Sequence, residues 1–167
     1  MEIVSYSSSK GAISVGVNFN PMYRHEIFKY ERIKECCAFK LKEAAEKYGT
    51  KYHFKLDEVG LDIDHAHVLV TFGPNIKLCD IIKKLKEHSA KELFKAFPWL
   101  RGYDEANILG KGTKQKLFTK GRFWSGGYYF ESYGRKTFED HKEYVANQGL
   151  HHRRDRSQLR LNQFIAA

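Results

Sequence analysis

The residues with the clearest chemical potential are two histidines, His65 and His67, inside the run Leu61–Phe72. That run is the most β-prone stretch of the chain. In a strand, alternate side chains leave the same face, so the two imidazoles would stand roughly 6–7 Å apart. Neutral imidazole is a common ligand for divalent metals, and that separation suits two ligands on one ion. A His-x-His pair also occurs in core strands whose histidines are satisfied by hydrogen bonds, so the motif needs a second element before it carries chemistry.

Such an element lies almost eighty residues further on. Tyr144 and Gln148 are four apart within a helical pattern and share a face, with His141 at its border. A tyrosine beside a metal-bound phosphate can serve as a nucleophile, because the metal lowers its pKa and neutralises developing charge. Gln148 offers a carbonyl oxygen as a third ligand. Tyr-x-x-x-Gln alone is a weak motif, since a tyrosine on an amphipathic helix is usually packed. Its weight comes from the pairing with His65 and His67.

These side chains need a scaffold, and the periodicity of the chain supplies one. Ser7–Gly11 reads as the end of a flexible leader, residues 1–11. Ile13, Val15, Val17 and Phe19 alternate within a first strand, 12–19, ended by Asn20-Pro21. From Arg24 to Tyr48 the apolar positions Ile27, Tyr30, Ile33, Cys37, Leu41, Ala44 or Ala45, and Tyr48 recur at helical steps, with Gly49 as the expected stop. Alternation returns over Lys51–Asp57, with Tyr52, Phe54 and Leu56 inward, and Gly60 is expected to turn the chain into the His65/His67 strand. A second helix is expected from a cap at Asn75 to about Phe97, stopped by Pro98. Tyr128–Tyr133 reads as the last strand. A final helix follows over Thr137–Gly149, with Thr137 and Asp140 at capping-box spacing.

Four strands interrupted by two helices in this order form the split βαβ, ferredoxin-like or RRM-like, α+β pattern, an antiparallel sheet with both helices on one face. Ala66, Val68 and Val70 belong to the covered face. His65 and His67 then stand on the other, where the C-terminal helix can reach them. Residues 12–149 form the domain, and 150–167 a basic tail with His151-His152-Arg153-Arg154 near its start.

The formal net charge is +9, which favours an anionic partner, nucleic acid first. Lys77, Lys84 and Lys91 recur at seven-residue steps as a basic stripe on the second helix. The acid-free segment 106–130 carries Lys111, Lys114, Lys116, Lys120 and Arg122 among Phe118, Phe123 and Trp124. Cations track a nucleic-acid backbone, and aromatic rings stack on unpaired bases. The three cysteines, Cys36, Cys37 and Cys79, have no framework spacing and point to reduced thiols and a cytoplasmic setting. Met1–Lys10 lacks the apolar core of a signal peptide, and no run has transmembrane length, so no membrane role is expected.

Asp64-His65-Ala66-His67-Val68-Leu69-Val70, followed by Tyr144-Val145-Ala146-Asn147-Gln148, resembles the small HUH transposases of bacterial and archaeal insertion sequences, single-tyrosine enzymes that move single-stranded DNA. Pro21-Met22-Tyr23-Arg24 and Phe123-Trp124-Ser125-Gly126-Gly127-Tyr128-Tyr129 extend the resemblance, which covers roughly residues 12–149. Two departures touch DNA contact: a longer segment from about Asp104 to Gly121, and Met22 and His25 at positions that are more basic in the family.

The resemblance implies that His65, His67 and Gln148 hold Mg²⁺ or Mn²⁺ at the scissile phosphate, and that Tyr144 attacks it to leave a 5′-phosphotyrosine link and a free 3′-hydroxyl. Imidazole donors suit Mn²⁺ better than Mg²⁺, so the cation is taken from the family. It also implies single-stranded DNA partners with hairpin-bearing ends, Arg24 among the DNA contacts, and a homodimer with composite sites. No nucleotide cofactor is implied, and no phosphate-binding Gly-rich motif is present. Three other readings compete: a non-catalytic single-strand nucleic-acid-binding module, a related HUH nicking endonuclease, and a structural zinc site, which the lack of a nearby cysteine disfavours.

Overall fold

Alternating apolar side chains and one long amphipathic helix between them set the architecture. The computed structural model describes residues 4–5, 10–102, 117–118 and 121–147. Its strands are β1 (Val4–Ser5), β2 (Lys10–Gly11), β3 (Ile13–Phe19), β4 (Phe54–Leu61), β5 (Ala66–Phe72) and β6 (Tyr129–Tyr133). Its α-helices are α1 (Glu31–Tyr52), α2 (Leu78–Ala96) and α3 (Arg135–Ala146). β1 pairs with β2, within the segment read from sequence as a leader. The other four strands form one antiparallel sheet in the order β4-β5-β3-β6. This is the split βαβ arrangement expected from the element order.

The sheet separates two faces. Val15, Val17 and Phe19 of β3 and Ala66, Val68, Val70 and Phe72 of β5 join the main core, with Ile33, Cys37 and Leu41 of α1 and Ile81, Ile82, Leu85 and Leu93 of α2. Residues paired across strands share a face. The register therefore places Gly60, His67, Asn18 and Tyr129 in one row of the second face, and Glu58, Leu69, Gly16 and Glu131 in the next. Helix α3 lies against this face and touches β4, β5 and β6. Leu69, Phe138 and Val145 are fully or almost fully buried and lie outside the main core. They form the apolar seat of α3. The C-terminal helix over the second face is thus as the sequence pattern indicates.

Several boundaries differ from the sequence reading. The helix expected from Arg24 begins only at Glu31, after two short 3₁₀ turns, Met22–Arg24 and Ile27–Lys29. Tyr23 and Arg24 adopt left-handed backbone, with φ of 59° and 51°, which no α-helix accepts. Gly49 does not end α1, which runs to Tyr52 with His53 as a left-handed cap. The glycine serves the return of the chain instead: a Cβ there would lie 2.7 Å from the Phe54 carbonyl oxygen. Gly60 does not turn the chain either. It lies inside β4 opposite His67, and the turn is made at 62–65, where the Asp62 carboxylate accepts from the Ile63 N–H at 2.7 Å. Asn75 does not cap α2, whose N-cap is Lys77, and α3 starts after Gly134, so Thr137 is not at its cap. Ile13, expected inward, is 40% exposed at the start of its strand.

The seat of α3 can be loosened by itself. Phe138→Ala removes a buried ring at a cost of about 3 kcal/mol. Amide exchange within α3 should accelerate about 100-fold, while the α1 and α2 amides keep their protection.

Candidate active site

The turn 62–65 delivers His65 just before β5, and the strand itself delivers His67. The two rings converge with centroids 4.6 Å apart. His65 Nδ1 is 2.6 Å from Asp64 Oδ1, and Arg24 Nε donates to Asp64 Oδ2 at 3.0 Å. A carboxylate on one imidazole nitrogen fixes the tautomer and leaves Nε2 available to a ligand. Burial works against the Asp64 carboxylate, but the hydrogen bond and charge of His65 and the charge of Arg24 outweigh it and hold its pKa below the usual range.

Arg24 reaches Asp64 from a strained turn. Two consecutive left-handed non-glycine residues persist because the turn is stitched to the segment 123–125: Met22 N–H donates to the Phe123 carbonyl at 2.8 Å, and Ser125 N–H to the Asn20 carbonyl at 2.9 Å. Arg24, expected as a DNA contact, is placed by the structure in the support of His65.

His67 is 8% exposed. Burial, then the charges of His65 and His141, lower its pKa to about 4. It is neutral at physiological pH, as a metal ligand must be. Among the described residues, no group of three His, Cys, Asp or Glu side chains is placed to hold a metal. The donor set His65 and His67 fits a divalent cation only if a further oxygen ligand joins it. Gln148, the expected third ligand, lies outside the described residues.

Tyr144, on α3, meets His67 edge-on at 6.2 Å between centroids. Its ring also faces His141, at 5.7 Å. Two other tyrosines share this face. Tyr129 and Tyr133 both donate to the Glu131 carboxylate. Burial and that hydrogen bond push the Tyr133 pKa well up, so its hydroxyl stays protonated. Among the described residues, that leaves Tyr144 as the tyrosine beside the histidines whose hydroxyl is not committed to a carboxylate in this way.

The expected basic positions do not form one stripe. Lys84 pairs with Glu87 and lies against the rings of Tyr48 and Tyr52, on the α1 side. Lys77 is exposed at the start of α2. Lys91 and Arg122 line a cleft of about 770 Å³ between α2 and the segment 121–128, together with Lys83, Lys86 and Arg101. Lys86 donates to the Ser125 and Gly127 carbonyls, and burial lowers its pKa to about 8. Lys111, Lys114, Lys116 and Lys120 lie outside the described residues.

Comparison with known proteins adds the lineage. A family profile described as "Transposase IS200 like" matches residues 11–148. The chain belongs to the IS200-like transposase family. No curated protein matches it. The transposase shares its fold with a crystal structure from Deinococcus radiodurans R1 designated a transposase, at 21% identity and a TM-score of 0.56, covering 87% of this chain and 98% of that one. A REP-associated tyrosine transposase bound to a REP hairpin matches at 13% identity and a TM-score of 0.49, covering 87% of this chain and 70% of that one.

The sequence reading assigned no role to Asp64, Glu131 or Tyr133 of the transposase. Asp64 stood next to His65 in the quoted motif, and that adjacency was the available signal. Glu131 and Tyr133 become visible only through the strand register.

The low pKa of His67 has a consequence for stability. The unfolded chain takes up this proton near pH 6.5, while the folded protein takes it up only near pH 4. Stability of the metal-free protein should therefore fall as pH drops from 6.5 towards 4, with His67 contributing a loss of about 3 kcal/mol. Urea unfolding of wild type and His67→Gln across this range should show the slope reduced in the variant.

Proposed function

We propose that this transposase cleaves and rejoins single-stranded DNA through a covalent 5′-phosphotyrosine link to Tyr144. The observation that supports this most is the meeting of Tyr144 with His67 across the α3–sheet contact. His65, His67 and Gln148 would hold Mg²⁺ or Mn²⁺, with Mn²⁺ better suited to imidazole donors. Bound there, the cation would supply Lewis-acid polarisation of the scissile phosphate.

The residues of the chain carry the remaining steps. Tyr144 gives up its phenolic proton to solvent and its Oη forms a bond to phosphorus as the P–O3′ bond breaks, and the departing 3′-oxygen takes a proton from solvent to leave as a hydroxyl. Rejoining reverses this: a 3′-hydroxyl from another strand attacks the phosphotyrosine, and Tyr144 Oη leaves. The phosphodiester energy is kept in the link, so no nucleotide cofactor is required. Asp64 and Arg24 hold the His65 ring in one orientation. Lys77, Lys91, Arg122, Arg24 and the lysines 111, 114, 116 and 120 would supply cations for the DNA backbone, whereas Lys84, expected among them, is turned to Tyr48 and Tyr52. The cleft lined by Lys91 and Arg122 adjoins the segment 121–125, which is stitched to the Arg24 turn, so a strand could run from the cleft to the histidines. Hairpin-bearing element ends are the substrate class this reading favours, in the cytoplasm.

A homodimer is part of the same reading. β6 is an edge strand with Tyr129 and Phe130 largely exposed, and unprotected edges favour pairing with a second copy. Within one chain α3 already lies on its own sheet, so composite sites would require the two copies to exchange α3 about the segment at Gly134.

The test is incubation with Mn²⁺ and 3′-end-labelled single-stranded oligonucleotides copied from the flanks of the gene. Wild type should carry the label as an SDS-stable adduct, and Tyr144→Phe should not. An adduct that survives Tyr144→Phe contradicts the mechanism, and a stable complex without any adduct favours the non-catalytic binding module. A nicking endonuclease would form the adduct yet fail to join a second 3′ end. Asp64→Ala should weaken Mn²⁺ binding about 10–100-fold by calorimetry.

A further inference from the structure

Tyr144 is 49% exposed. A tyrosine facing solvent on a helix samples more than one rotamer. One pose requires contacts that hold the ring, and the structure provides two, His67 across the contact with the sheet and His141 on α3 itself. Its ring stands at 90° to His67, and lies nearly parallel to His141, with 29° between the planes. His141 is stacked in turn on Tyr133 of β6, with centroids 3.9 Å apart and 24° between planes. Beneath the pair, β3 contributes Gly16. A Cβ there would fall 2.6 Å from Tyr133 Cε2 and 3.0 Å from His141 Nε2. Only glycine lets the two rings settle this close to the sheet.

We infer that His141 is a positioning residue: clamped between Tyr133 and Tyr144 above Gly16, it fixes the Tyr144 ring against His67 by stacking, before DNA arrives. This rests on the reading of Tyr144 as nucleophile. The ring geometry favours a clamp over a proton acceptor. The nitrogens of imidazole donate and accept in the ring plane, and in a near-parallel stack that plane runs past the neighbouring ring. Burial lowers the His141 pKa against the opposing charge of Glu131. A preset ring matters because displacing a reacting group by about 1 Å can cost about 100-fold in rate.

The experiment compares wild type with His141→Ala, His141→Phe, Gly16→Ala and Tyr144→Phe. Single-turnover adduct formation is followed with Mn²⁺ and the labelled single-stranded oligonucleotides. The Tyr144 ring resonances are followed in the DNA-free protein, assigned by their loss in Tyr144→Phe. In the clamp account, His141→Ala slows adduct formation about 10–100-fold at saturating DNA and leaves the half-saturating DNA concentration unchanged. His141→Phe restores most of the rate, because it keeps a planar ring without a titratable nitrogen. Gly16→Ala keeps His141 but lifts the stack, and slows the reaction as His141→Ala does. The upfield ring-current shift of Tyr144 is retained in His141→Phe and lost in His141→Ala.

An unchanged rate in His141→Ala overturns the clamp. So does a His141→Phe variant as slow as His141→Ala, which would mark a proton-transfer role. A change confined to half-saturation would mark a DNA contact and overturn the clamp as well. If wild type forms no adduct, the nucleophile reading fails, and the Tyr144 resonances still decide whether His141 holds the ring.

Discussion

The site depends on one packing contact, the seating of α3 on the sheet face opposite α1 and α2. The strand β5 presents His67 and Leu69 to that face, and α3 returns Phe138 and Val145 towards it, all four buried. The apolar members supply the driving force, since burying a large apolar side chain contributes about 1.5–3 kcal/mol. The polar members gain a fixed position from it. Tyr144 immediately precedes the buried Val145, so its ring is brought to the rim of the contact, beside His67. Without the seat, a strand and a helix distant in sequence would hold two unrelated halves of a site.

Around that contact the face is arranged as a set of supported rings. Asp64 and Arg24 orient His65, burial keeps His67 neutral, and Tyr133 underlies His141. Strain is concentrated at Tyr23 and Arg24, and it is held by backbone bonds to the segment 123–125. The same segment forms one wall of the basic cleft. The wall of the basic cleft and the support of His65 therefore meet at one turn. The described helices include none long and apolar enough to cross a membrane.

Much of this was legible in the sequence. Period-two alternation indicates β3, the most β-prone run indicates β5, helical spacing indicates α1 and α2, and the element order indicates the sheet topology and the second face for α3. The histidines and Tyr144 were singled out by type and spacing, and the structure brings them together. What was not legible depends on contacts between distant residues. Gly49 looked like a helix stop because the returning Phe54 carbonyl above it is a tertiary fact. His65 looked like a strand residue because Asp62 closes the turn through its side chain. The lysine stripe looked continuous because spacing along α2 says nothing of Tyr48 and Tyr52 on α1, which take Lys84 away from the cleft. The stack of Tyr133, His141 and Tyr144 needs the register of β6 against β3, which periodicity alone does not set.

In the proposed mechanism the tyrosine on α3 and the histidines on the sheet act as one centre. Its most direct test is tandem mass spectrometry of the protein after reaction with single-stranded DNA and Mn²⁺, followed by nuclease and protease digestion. The account predicts a residual nucleotide phosphate on Tyr144 in wild type and none on any peptide of His67→Ala. A nucleotide on Tyr129 or Tyr133, or one on Tyr144 that persists without His67, would contradict it.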